Sequence, residues 1–222
     1  SYRRDGTSRM SPDNRWGNFW SVGGKWRLTG EEFLKDNRAL TNAMLRVSYG
    51  TVGNQDIDWY AARGYYSANH NYNSVAGIAP EQSPNPELTW ETSKKFDVGF
   101  DLSFVNRYHL SFDFYNENTS DALYKMPLSR TTGFSTLFKN IAAIRNQGVE
   151  VALNGTLVRN KAINWTAYVN MTYNQNKVVE LADHKPIEYD YTIIEEGRPY
   201  RQFKMKEYAG VDRETGKPLW YL

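Results

Sequence analysis

KFDVGFDLSFV, Lys95–Val105, is the stretch that decides the fold. Phe96, Val98, Phe100, Leu102 and Phe104 fall on one side of a strand, and Lys95, Asp97, Gly99, Asp101 and Ser103 on the other. Successive side chains of a strand point to opposite faces, so period-two alternation marks a two-faced strand. One face is apolar without a break and the other carries charge. Two architectures produce that pattern: a soluble sandwich, or a wall with lipid on one side and water on the other.

The pattern recurs to either side. Upstream, about Asn18 to Leu28, Trp20, Val22, Gly24, Trp26 and Leu28 share a face opposite Ser21, Gly23, Lys25 and Arg27. From about Met44 to Val52, Leu45, Val47, Tyr49 and Thr51 oppose Arg46, Ser48 and Gly50. Downstream, Val105-Asn106-Arg107 turns the chain into Tyr108, Leu110, Phe112 and Phe114, interleaved with His109, Ser111, Asp113 and Tyr115. A second hairpin sets Val149, Val151, Leu153 and Leu157 against Glu150, Asn154 and Thr156. Its return arm sets Ile163, Trp165, Ala167, Val169, Met171 and Tyr173 against Asn164, Thr166, Tyr168, Asn170, Thr172 and Asn174. The spacing thus predicts an all-β chain of about six antiparallel strands. A short turn is expected at Thr29–Leu34. Gly53–Leu88 reads as a long polar segment, and further long connections are expected after Arg4, Met126 and Asn176. The tail from Glu180 to Leu222 reads as polar loop.

Long connections at one end and short ones at the other are the asymmetry of an outer-membrane barrel, with short periplasmic and long extracellular loops. The rings agree. Trp26, Phe104, Tyr108 and Trp165 fall beside the short turns, and Trp20, Trp90 and Tyr173 fall at the far end. Aromatic belts flanking an aliphatic band follow the preference of amphipathic rings for membrane interfaces. The expected fold is part of a large antiparallel transmembrane β-barrel. Residues 1–178 would be wall strands with their turns and loops, and residues 179–222 a mostly extracellular segment with short strands. Val22, Val47, Val98, Phe100, Leu110, Phe112, Val151 and Val169 are the expected lipid-facing residues. Asp97, Asp101, His109, Asp113, Glu150, Asn154, Asn164, Tyr168 and Asn170 are expected to face a wet lumen.

Composition narrows the chemistry. The 222 residues include no cysteine, which excludes disulfides and thiolate metal sites. Twenty-seven basic side chains against 25 acidic give no bias toward nucleic acid. No apolar run is long enough for a membrane helix. Ser1-Tyr2-Arg3-Arg4 reads as a mid-protein start, with no signal peptide. His70, His109 and His184 lack ligand spacing, so no metal is expected, and no motif implies a cofactor or an enzyme. The Asp97, Asp101, Asp113 and Glu150 carboxylates fit a hydrated wall better than a hydrolytic pair. Four Asn-x-Thr/Ser matches, three of them on strands, arise from Asn/Thr alternation on that wall. The plausible ligand feature is the loop aromatics Trp59, Tyr60, Tyr65, Tyr66 and Tyr72, flat rings suited to stacking on a sugar or gripping a peptide.

Several motifs, in order along the chain, resemble the SusC/RagA-like TonB-dependent transporters of Bacteroidetes. They are Leu45-Arg46-Val47-Ser48-Tyr49-Gly50-Thr51-Val52-Gly53-Asn54, Asn85-Pro86-Glu87-Leu88-Thr89-Trp90-Glu91, and Asn140-Ile141 through Arg145-Asn146-Gln147-Gly148-Val149-Glu150. Arg3-Arg4-Asp5-Gly6, Asp13-Asn14-Arg15-Trp16-Gly17 and Tyr208-Ala209-Gly210-Val211-Asp212 look similar too. The resemblance implies a barrel of about 22 strands around a plug domain, of which these residues would supply about six. It implies a bacterial outer-membrane location, a TonB-contacting segment lying outside this sequence, a SusD-like surface lipoprotein as lid, and import of an oligosaccharide or peptide. At Tyr200-Arg201-Gln202-Phe203 the sequence departs from the family, which more often has small residues before the Phe. A soluble all-β carbohydrate-binding module and a passive porin are the alternatives that the residues leave open. Six strands leave two open edges, and unpaired backbone in hydrocarbon costs several kcal/mol per group, so a spanning sheet of this size is expected to belong to a larger wall.

Overall fold

The computed structural model describes residues 1–221, with every side chain among them except that of Tyr72. Its main sheet has seven antiparallel strands. They are β1 (Tyr2–Gly6), β2 (Trp16–Arg27), β3 (Leu40–Asn54), β6 (Glu91–Phe104), β7 (Tyr108–Pro127), β8 (Thr136–Arg159) and β9 (Asn164–Leu181), side by side in that order. β4 (Tyr65–Tyr72) and β5 (Val75–Gln82) form a separate hairpin within the β3–β6 connection. The remaining short strands, β10 (Ile187–Glu188), β11 (Thr192–Ile194), β12 (Gln202–Phe203), β13 (Tyr208–Val211) and β14 (Pro218–Trp220), form two small sheets.

Pairing in register puts apolar side chains in rows across the sheet. Leu45 pairs with Phe100, Phe100 with Phe112, Phe112 with Val151 and Val151 with Met171. The next row runs Val47, Val98, Phe114, Val149 and Tyr173. Directly opposed aromatic and β-branched pairs contribute roughly 0.2–1 kcal/mol each relative to alanine, so adjacent strands hold one another in this register. A slip of one residue would turn every row to the other face.

The short turns are tight. Val105 (φ 46°) and Asn106 (φ 52°) are both left-handed, and the Arg107 amide donates to the Phe104 carbonyl at 2.9 Å. That is the two-residue turn whose twist matches antiparallel strands. Arg107 then reaches across to the next hairpin, donating from its guanidinium to the carbonyls of Thr156 and Leu157. β2 stops at Arg27, so Leu28 lies in a 3-10 turn, Leu28–Gly30, followed by hydrogen-bonded turns at Glu31–Asn37.

The structure corrects the loop end of the sequence reading. The long connection expected after Met126 is only residues 128–135, because residues 136–148, read as loop, are the first half of β8. Alternation fails there because side chains answer to particular partners, Asn140 to Thr89 and Arg145 to Asn118; on the facing strand a bulge with Asp121 at φ 56° shifts the β7–β8 register between Thr119 and Ala122. β9 continues past Asn176 to Leu181, and Pro218–Trp220 is strand rather than loop. Leu222 lies outside the described residues. Tyr2–Gly6 pairs with the first part of β2, and the polar segment contains the β4–β5 hairpin, closed by left-handed Asn73 and Ser74.

The buried cores sit at the long-loop end, away from the rows. Met10, Ile57, Ala61, Ala62 and Leu88 form one cluster, with Leu123 and Phe138 packed against it. Val178, Leu181 and Ile194 form the second, with Tyr124, Ala142, Ile187, Tyr189 and Tyr200 against it.

Candidate functional site

The two faces of the main sheet are the central feature. Val22, Val47, Val98, Phe100, Leu110, Phe112, Val151 and Val169 stand on one face, by the pairing Val22–Tyr49, Val47–Val98, Phe100–Phe112, Leu110–Leu153 and Leu153–Val169. Among the described residues no second layer covers them. Val22 is 63% exposed, Val169 59% and Met171 65%. Trp26 and Trp165 stand exposed at the short-turn end of this face, Trp20 and Tyr173 at the other. A water-facing surface does not present so continuous an apolar patch without a partner or a membrane.

The opposite face is polar, and its charges are organised. Arg46 on β3 reaches across β6. Its Nε donates to Asp101 Oδ2 at 2.7 Å, and its Nη2 donates to Asp101 Oδ1 at 3.2 Å and to Asp113 Oδ1 at 2.8 Å. The Ser111 hydroxyl donates to Asp101 Oδ1 at 2.9 Å. Gly99 makes this possible. It lies in register between Arg46 and Asp113, and a Cβ there would stand 2.8 Å from Arg46 Nη2 and closer still to Asp113 Oδ1. The guanidinium therefore lies over bare backbone. Charge-assisted, two-pronged contacts of this kind fix geometry. At about one-third exposure, solvent screening keeps each pair to roughly 1 kcal/mol or less.

Glu150 pairs in register with Asp113, and Asp97 accepts from the Ser48 hydroxyl at 3.2 Å. His109 pairs with Asn154 and its Nδ1 lies 2.9 Å from the Ser103 hydroxyl, while Tyr168, Asn170 and Asn164 follow on β9. The sequence reading missed Arg46 as the hub of this face. A polar arginine opposite the glycine of a neighbouring strand was the available signal. The histidines go to separate partners: His70 to Glu81 at 3.5 Å, His109 to Ser103 and His184 to Glu196 at 2.9 Å.

Asn85–Glu91 knots the loop end together. The Asn85 amide donates to the Phe138 carbonyl at 2.8 Å, the Pro86 carbonyl accepts from Ser11, and Leu88 is wholly buried. Thr89 exchanges two hydrogen bonds with the Asn140 side chain, at 3.0 and 2.9 Å. The Trp90 indole donates to the Arg15 carbonyl and packs edge-on against Phe19 at 5.4 Å. Glu91 accepts from the Leu123 amide and the Asn54 side chain. Arg145, Asn146 and Gln147 similarly clasp Asn118, Asn176 and Gln175 across β7–β9.

The loop aromatics are dispersed. Trp59 is 63% exposed with the Arg9 guanidinium 4.4 Å over its ring, and Tyr60 and Tyr66 are exposed singly. Tyr65 and Tyr66 open β4, opposite Gln82 and Pro80. Among the described residues the close ring pairs lie elsewhere, at Phe19–Trp90, Trp20–Tyr49, Tyr124–Tyr189 and Tyr208–Trp220. The Tyr72 side chain lies outside the described set.

A TonB dependent receptor-like β-barrel family model matches residues 1–221. TonB-dependent receptor P39 of Formosa agariphila is 39% identical over 198 residues, covering 89% of this chain and 19% of the relative. TonB-dependent receptor SusC of Bacteroides thetaiotaomicron is 31% identical over 196 residues, covering 84% and 20%. Among solved structures, the RagAB peptide importer in its closed-closed state superposes with a TM-score of 0.90 at 33% identity, over 100% of this chain and 25% of that one. The open-open state gives 0.85 at 32% identity, over 100% and 24%. The chain thus spans about a fifth of the length of the curated relatives it matches. An open antiparallel sheet, apolar on one face and charged on the other, and a match along its whole described length agree: this chain belongs to the TonB dependent receptor-like β-barrel family.

Proposed function

We propose that this chain is a stretch of barrel wall in a bacterial outer-membrane importer, which takes up an oligosaccharide or peptide with energy relayed by TonB. The observation that carries the reading is the uncovered apolar face, continuous over neighbouring strands and backed by a charged, hydrogen-bonded one. Lipid would meet Val22, Val47, Val98, Phe100, Leu110, Phe112, Val151 and Val169. Lumen water would meet Asp97, Asp101, His109, Asp113, Glu150, Asn154, Asn164, Tyr168 and Asn170. Residues 1–178 would form wall and loops, and 179–222 a mostly extracellular segment where a SusD-like lipoprotein lid closes. The likeness to the RagAB peptide importer and to SusC supports transport over catalysis. Trp59, Tyr60, Tyr65, Tyr66 and Tyr72 would contribute separate loop contacts to the cargo rather than one aromatic wall.

Val98→Arg in the full-length protein tests the membrane assignment. A charge at the lipid midplane costs roughly 2–4 kcal/mol, so the variant should lose outer-membrane abundance and heat-modifiable migration on gels. Asp97→Asn, one residue along on the other face, should retain both. A Val98→Arg protein that assembles like wild type would overturn the assignment. Uptake of labelled peptide and oligosaccharide pools should stop when the proton-motive force is collapsed; uptake indifferent to it would mean a passive pore.

A further inference from the structure

The ends of β7 and β8 and the segment from Tyr189 to Arg201 enclose an open groove of about 440 Å³, lined by Leu123, Tyr124, Lys125, Phe138, Tyr189, Tyr200 and Arg201 among others. Its wall is aromatic. Tyr124 meets Tyr189 edge-on, with ring centroids 6.4 Å apart. Tyr200 is pinned by its amide, which donates to Asn176 Oδ1 at 2.7 Å.

One cation in this groove, Arg201, has no carboxylate partner among the described residues. The Arg201 guanidinium carbon lies 5.7 Å from the Tyr189 ring centroid and 5.8 Å from that of Tyr200, so two rings hold the exposed head in place. The nearby carboxylates are taken: Asp58 pairs with Lys125 at 3.2 Å and Glu188 with Lys204 at 2.6 Å. Asp190 lines the adjoining groove, and no ion pair joins it to Arg201 among the described residues. The buried Tyr124 hydroxyl, beside the same groove, has no hydrogen-bond partner among the described residues. A planar guanidinium within cation–π reach of two rings gives one hydrogen bond to the Tyr189 hydroxyl and keeps donors over, so it can still receive a planar anion two-pronged. The rings beside it offer rigid amphipathic area for whatever carries that anion.

We propose that Tyr189, Tyr200 and Arg201 form a binding subsite for a carboxylate-bearing ligand, the carboxylate meeting Arg201 and the adjoining ligand surface stacking on the tyrosines. The carboxylate is that of a uronic acid residue in an oligosaccharide or the free C-terminus of a peptide. The subsite rests on the import reading for its purpose but not for its chemistry.

The test is equilibrium binding to the full-length protein purified in detergent. The probes are trigalacturonate against neutral galactotriose, and a tripeptide with a free C-terminus against its C-terminal amide. The wild type should bind one carboxylate probe at least about tenfold more tightly than its uncharged partner, as expected of a hydrogen bond to a charged group. The preferred pair identifies the source. Arg201→Gln should erase the preference, Arg201→Lys should keep part of it, and Tyr189→Leu should weaken both members of the preferred pair and, by loosening Arg201, narrow the gap between them. Equal binding of charged and neutral members in both pairs overturns the subsite, as does a preference that survives Arg201→Gln. Membrane assembly and energised uptake of nutrient pools, measured on the same variants, report on import separately. A subsite that fails leaves those intact, whereas a failed import reading leaves an Arg201-dependent binder that transports nothing.

Discussion

Gly53 is the position where one methyl group should be felt most. A Cβ there would stand 2.5 and 2.7 Å from two ring carbons of Phe19 and closer still to the ring tip. Ordinary contact begins near 3.4 Å, so the ring tip must retreat by roughly 1.5 Å. It has little room. Phe19 is 4% exposed and packs on Trp90, which is 9% exposed and hydrogen-bonded to the Arg15 carbonyl. Overpacking of this kind costs about 1–3 kcal/mol, and a displaced indole forfeits a hydrogen bond worth about 1 kcal/mol more. Replacing a strand glycine returns roughly 0.5–1 kcal/mol of backbone entropy, which leaves Gly53→Ala about 1–3 kcal/mol destabilised. The assay is urea unfolding of the full-length protein refolded into lipid vesicles. Gly24→Ala is the control, since nothing lies within 4 Å of its Cβ position; it should be neutral or slightly stabilised. Phe19→Leu in the Gly53→Ala background should recover part of the loss, the signature of two coupled sites. If Gly53→Ala unfolds with Gly24→Ala, within about 0.5 kcal/mol, the packing argument is wrong.

Val105 is a β-branched residue at φ 46°, a conformation such side chains rarely hold. Val105→Asn should therefore raise stability by about 1 kcal/mol, read as a higher urea midpoint. At the loop end, Glu196 accepts from the Leu181 amide at 2.8 Å and from His184 at 2.9 Å. The hydrogen bond to Glu196 raises His184 above the ordinary histidine value, and the Leu181 amide followed by His184 lowers Glu196. The histidine's contribution is complete below its unfolded value of about 6.5 and is lost as pH climbs through the raised one. That of the glutamate is present above about 4.3 and is lost as pH falls through its lowered value. Proteolytic nicking of residues 182–197 should thus be slowest between those limits and faster on either side. Glu196→Gln should flatten the profile; an unchanged profile would refute the linkage.

The sheet was legible because its two faces differ in kind at neighbouring residues, and Lys95–Val105 alternates apolar and polar at every step. The loop end lacked that double constraint. In residues 136–148 the side chains answer to particular partners, Asn140 to Thr89 and Arg145 to Asn118, so no period survives. Arg46 escaped notice because its role depends on a glycine 53 residues away that leaves space for it. The Asn85–Glu91 motif carried the family likeness, yet its work as a knot of backbone contacts became visible only with its partners in place. Tyr189, Tyr200 and Arg201 lie in a tail that reads as plain loop, and only folding gathers them.

The unusual length of β8 has a consequence for charge. Its 24 residues exceed the roughly 9–11 that cross hydrocarbon, and residues 136–148 lie beyond the apolar rows. At about 3.3 Å per residue and a tilt near 45°, those thirteen residues lift the rim about 30 Å. Ionic screening at physiological salt decays over about 8 Å. In the proposed importer a visiting molecule at that height would be deaf to the anionic headgroups beneath it, and the sign of its own charge would matter only to the tower on which it lands.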